Sequence, residues 1–130
     1  MKKLLLILLC LPMIGFGQEV KRAYYNSGAI LSEVQYNIDG KRDGVTKYFY
    51  DWGPWVIKTE ANYKNGKMDG KFISYTKYGR IKELGFYKYT VEGVCSERTG
   101  IWKQYYDSGE LNTEIYYDEN GRSVKYISYE

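Results

Sequence analysis

The sequence contains no histidine, which removes the commonest general base, the triads built on it and the commonest zinc ligand. Cysteine is limited to Cys10 and Cys95 and proline to Pro12 and Pro54. Helical patterning is also missing: after residue 17, apolar residues nowhere recur at three and four over a useful window. Neither sign of charge is in excess, with 19 Lys and Arg against 16 Asp and Glu, so the chain carries no electrostatic footprint for nucleic acid or an anionic membrane surface. Carboxylates alone can run a glycosidase, but the acids here mostly fall at repeated positions: Asp43 and Asp69 before glycines, Asp107 at a turn where the first copy has Asn26, and Glu33, Glu60 and Glu114 on one strand type. A side chain required in every copy serves the hairpin as a turn former or cross-strand pair. The expectation is a chain without catalytic residue, metal or cofactor.

What is present begins with a leader. Lys2 and Lys3 precede an apolar run from Leu4 to Leu11, and Gly15-Phe16-Gly17 supplies small residues before an expected cut at Gln18. This is the layout of a signal peptide over 1–17, too short to span a bilayer. It implies an exported protein, periplasmic or extracellular, with no transmembrane segment in the mature chain, 18–130. Cys10 lies mid-run after Leu9, where a lipidation signal wants a small residue, and so reads as apolar filler. Cys95 is then the single mature thiol, a buried filler or a site of intermolecular pairing.

Internal repetition dominates the remainder. Gly28, Gly53, Gly79 and Gly109 recur at intervals of 25, 26 and 30 residues, each with an aromatic residue four before it: Tyr24, Phe49, Tyr75 and Tyr105. Three before stand Tyr25, Tyr50, Thr76 and Tyr106; two after stand Ile30, Trp55, Ile81 and Leu111. Tyr36, Tyr63, Tyr87 and Tyr117 close the units, followed by Gly40, Gly66, Gly93 and Gly121. Repeats run over about 20–44, 45–70, 71–100 and 101–123, with a terminal strand at 124–130.

Each unit reads as two short strands rich in Tyr, Ile, Val, Phe and Trp, bounded by turn residues. Asn26-Ser27-Gly28, Asp107-Ser108-Gly109, Asp39-Gly40, Asn65-Gly66 and Asn120-Gly121 combine backbone-bonding side chains with glycines that accept positive φ. Short connections make successive strands pair with their neighbours. The expected fold is all-β, an elongated antiparallel β-meander of about four hairpin repeats in a single open twisted sheet; a small closed barrel or sandwich is the alternative.

The unit Gly100-Ile101-Trp102-Lys103-Gln104-Tyr105-Tyr106-Asp107-Ser108-Gly109-Glu110-Leu111 resembles the MORN repeat variant, a family that includes antitoxin-like repeat proteins of the YwqK type. The resemblance runs from about Val20 to Gly121. It departs at Thr46, where Phe72 and Trp102 stand in other copies, at the expanded segment Asp51 to Trp55, and at the longer connection from Tyr89 to Thr99. It implies a hairpin-repeat scaffold and an immunity or antitoxin-like role.

Tyr24, Phe49, Tyr75 and Tyr105 obey the repeat and are expected to form a packed structural stripe. Trp52 and Trp55 break it at a hairpin tip, where two indoles are costly to expose unless a partner covers them; they are the candidate binding residues, and the loop from Val91 to Arg98 is the second candidate. The expected function is a protein-interaction or scaffold module of the cell envelope. The alternative is a carbohydrate or cell-wall glycan module, since aromatic platforms stack on sugar rings.

Overall fold

The computed structural model describes residues 18–52, 55–90 and 96–130. The expected signal peptide, Gly53, Pro54, Cys95 and most of the Val91 to Arg98 loop lie outside the described residues. Nine strands form: β1 (Glu19–Tyr24), β2 (Ile30–Tyr36), β3 (Arg42–Phe49), β4 (Ile57–Lys64), β5 (Lys67–Tyr75), β6 (Ile81–Lys88), β7 (Glu97–Tyr105), β8 (Leu111–Tyr117) and β9 (Ser123–Ser128). They lie in sequence order in one antiparallel sheet. There is no helix among the described residues, and β1 and β9 are free edges, so the sheet is open rather than closed into a barrel.

Because the order is strictly sequential, the turns after odd strands gather at one end of the sheet, the tip end, and the turns after even strands at the other. At the tip end Gly28 and Gly109 donate their N–H groups to the carbonyls of Tyr25 and Tyr106 at 2.9 Å each, with φ of 90° and 95°, a region glycine enters without a Cβ penalty. Ser27 and Ser108, rather than Asn26 and Asp107, accept the following backbone N–H there. The Asx chemistry operates at the other end, where the Oδ1 atoms of Asn37 and Asp118 each accept two backbone N–H groups.

Alternation assigns side chains to faces, and register links them across strands. On one face a row runs Lys21, Val34, Thr46, Ala61, Phe72 through β1 to β5, continues to Gly85, and ends Trp102, Ile115, Tyr126. Burial peaks in this row: Trp102 is fully covered and Val34, Thr46 and Ala61 are buried. Phe72 stacks on Trp102 at 5.7 Å between centroids, Tyr87 and Tyr117 meet the indole edge-on, and the Arg98 guanidinium lies 4.2 Å from its centroid. A single-layer sheet has no second layer to bury a face, so long aromatic and guanidinium side chains cover the row themselves. The opposite face carries Arg22, Glu33, Lys47 and Glu60 in register, alternating in charge, then Ile73 and Leu84, then Lys103 and Glu114.

The repeat aromatics share one register position, but not one environment. Tyr24 faces Ile30, Tyr75 faces Ile81 and Tyr105 faces Leu111. In the second copy Phe49 faces Ile57, not Trp55; the two-residue expansion is looped out, which corrects the alignment of Trp55 with Ile30, Ile81 and Leu111. Phe49 is buried and Tyr75 and Tyr105 are half-buried, but Tyr24 is 58% exposed. A packed stripe therefore does not extend to Tyr24, because β1 is an edge strand of the described sheet.

The residues three before the turn glycines tie the units together. Tyr25 donates its hydroxyl to the Phe49 carbonyl, Tyr50 to the Tyr75 carbonyl and Tyr106 to the Tyr129 carbonyl, at 2.7, 2.7 and 2.9 Å. Thr76 is too short for this reach; Arg80 instead donates to the Asp107 carbonyl at 2.8 Å.

Candidate functional site

The tip after β3 is where the repeat is broken. Its base is closed by the Tyr50 N–H donating to the Val56 carbonyl at 2.9 Å, and it is tied to the first tip by the Ser27 hydroxyl donating to Asp51 at 2.7 Å. Trp52 and Trp55 are 60% and 63% exposed. Trp55 holds a φ of 67°, costly for a bulky residue, and its indole meets the Phe49 ring edge-on at 6.0 Å. That contact anchors one side of Trp55, leaving most of its surface in solvent.

The neighbouring tip, Thr76 to Gly79, completes the site. Tyr78 is 76% exposed, and the Lys77 ammonium stands over two rings at once, 5.9 Å from the Trp52 centroid and 5.3 Å from that of Tyr78. Between these tips lies a groove of about 540 Å³ lined by Trp52, Trp55, Ile57, Tyr75, Lys77 and Tyr78, among others. Burial, and then the Glu60 carboxylate, push the Tyr75 phenol above its usual value. A second hollow of about 660 Å³ shares Lys77 and Tyr78 and adds Tyr50, Arg80 and Lys82.

The structure thus brings Trp52 and Trp55 together at one groove, with Tyr75 also lining it. Phe49 supports it from behind Trp55, whereas Tyr24 and Tyr105 line neither wall of it. Lys77 and Tyr78 were not singled out by sequence; the signal available was that the third tip alone puts a cation, Lys77, where the other three have Asn26, Asp51 and Asp107. Among the described residues no cluster of three His, Cys, Asp or Glu side chains is arranged to hold a metal ion, and no helix is long and apolar enough to cross a membrane. No protein-family model matches the chain, and neither a curated protein nor a solved structure does.

Proposed function

We propose that the chain is an exported, non-catalytic repeat module that works as a protein-interaction or scaffold protein of the cell envelope, docking its partner at the tip end of the sheet. Export rests on the Lys2-Lys3 and Leu4 to Leu11 leader. The observation that carries the docking reading is the convergence of three exposed aromatic side chains, Trp52, Trp55 and Tyr78, on one groove. Exposed Trp and Tyr clustered around a concavity are the residues that dominate interface energetics. The similarity to MORN repeat variant units agrees with a scaffold role. Paired indoles also suit sugar rings, which keeps a cell-wall glycan as the second reading.

The test is affinity capture from an envelope fraction with the natural chain and with the Trp52→Ala, Trp55→Ala double variant side by side. A defined protein retained by the first and lost by the second supports docking at this edge. Retention of wall polymer instead, lost in the same variant, transfers the site to the glycan reading.

A further inference from the structure

We infer that the partner presents to this groove an acidic protein segment with an apolar anchor side chain. This rests on the protein-docking reading above. The hollows of the tip end are lined by four cations, Lys58, Lys77, Arg80 and Lys82, and two acids, Glu83 and Asp107. Glu83 is already engaged, accepting from Gln104 at 3.0 Å and lying 3.7 Å from Arg98. Beneath the indoles the imbalance is complete, since among the described residues Lys77 is the only charged side chain lining that groove. A carboxylate arriving there meets the Lys77 ammonium at a wall that carries no acid among the described lining residues, and complementary charge of this kind steers association and selects partners. The apolar wall of Trp52, Trp55 and Ile57 suits an aliphatic or aromatic anchor, and a concavity of about 540 Å³ falls within the size of pockets that enclose such groups.

Two features favour a peptide over a glycan. Lys77 stands over the ring faces of both Trp52 and Tyr78, the faces a pyranose would need to stack upon. The groove also offers none of the carboxylate or amide side chains that give bidentate contacts to neighbouring sugar hydroxyls; beside Lys77, its described lining side chains are apolar or phenolic.

The experiment is fluorescence anisotropy of the full chain with three labelled synthetic peptides of equal length, each holding a central Leu-Phe pair flanked by Glu and Asp, by Ser, or by Lys. The acidic peptide is expected to bind at least about ten-fold more tightly than the Ser peptide, with the advantage shrinking as salt rises from about 50 to 300 mM. Lys77→Glu abolishes the acidic advantage, whereas Lys125→Glu at the distant edge strand leaves it intact. The Trp52→Ala, Trp55→Ala double variant, its fold checked by melting temperature, loses all three peptides. Equal binding of the three peptides, dependent on the indoles, overturns the acidic class and leaves the docking reading standing. No binding of any peptide up to about 1 mM overturns the inference. Binding of a soluble glucan or an oligothymidylate in place of every peptide overturns the inference and the docking reading together.

Discussion

Trp102 occupies the space that a side chain on Gly85 would need: a Cβ built at position 85 runs directly into the indole. The Trp102 Nε1–H donates to the Phe86 carbonyl at 3.1 Å on the same neighbouring strand, so the ring is held flat against β6 by sterics and by a hydrogen bond. Gly85→Ala must displace the one fully covered aromatic of the sheet. Overpacking of this kind costs about 1–3 kcal/mol, and thermal unfolding should show the variant melting below the natural chain. Gly109→Ala should also melt lower, but by backbone strain at φ 95° rather than by collision, since nothing lies within 4 Å of its would-be Cβ. Near-ultraviolet circular dichroism separates the two: only Gly85→Ala should change the tryptophan signal.

The tyrosine hydroxyls between units give a paired prediction. Tyr50→Phe removes the donor to the Tyr75 carbonyl and should cost about 0.5–1.5 kcal/mol. The third copy lacks this link because it carries Thr76, so Thr76→Tyr should add the missing tie between the third and fourth hairpins and raise the denaturant midpoint. A fall in midpoint on Thr76→Tyr would show that the longer connection after β6 changes the spacing there.

At the groove the two indoles should separate in stability. Trp52→Ala should leave the melting temperature nearly unchanged, as exposed substitutions do within about 0.5 kcal/mol. Trp55→Ala loses the edge contact with Phe49, worth about 0.5–1.5 kcal/mol. Trp55→Gly should be the milder change despite removing the same ring, because glycine accepts a φ of 67° without strain. Chemical denaturation of the three single variants checks the order.

Alkaline pH should loosen the last strand. The Glu114 carboxylate accepts the hydroxyls of Tyr116 and Tyr129 at 2.9 and 3.0 Å. Those bonds hold Glu114 below its ordinary value of 4.5 and push both phenols above their ordinary 10.0. A phenol raised in the folded state adds stability that is fully present below its unfolded value and disappears as pH rises through the folded one. Glu114, depressed in the folded state, adds stability present above its unfolded value and lost as pH falls through the folded one. Spectrophotometric titration should show Tyr116 and Tyr129 ionising late along with Tyr75, and Glu114→Gln should return Tyr116 and Tyr129, but not Tyr75, toward the ordinary range. Unchanged midpoints in that variant would contradict the shared carboxylate.

Strand number, order and the two ends of turns were legible because glycine spacing and aromatic alternation are local signals that short connections convert directly into neighbour pairing. The row of deepest burial was less legible. Tyr24 and Trp102 look equally apolar in sequence, but Tyr24 sits on an edge strand while Trp102 is flanked on both sides and roofed by Arg98. Trp52 and Trp55 could be singled out because they break the repeat. Lys77 carried only a faint signal, a cation where the other tips have Asn or Asp, and its relation to Trp52 is set by the lateral distance between successive tips, which no spacing along the chain encodes.

The division of labour between residues that obey the repeat and residues that break it is tested most directly by a photoreactive phenylalanine analogue carried by the full chain in living cells. Placed at position 52 on the tip end, or at position 38 in the exposed turn at the opposite end, it reports which end meets the partner. The expected result is a discrete cross-linked protein from position 52 and none from position 38, identified by mass spectrometry. Cross-links from position 38 alone, or from neither end with the fold intact, would contradict docking at the tips.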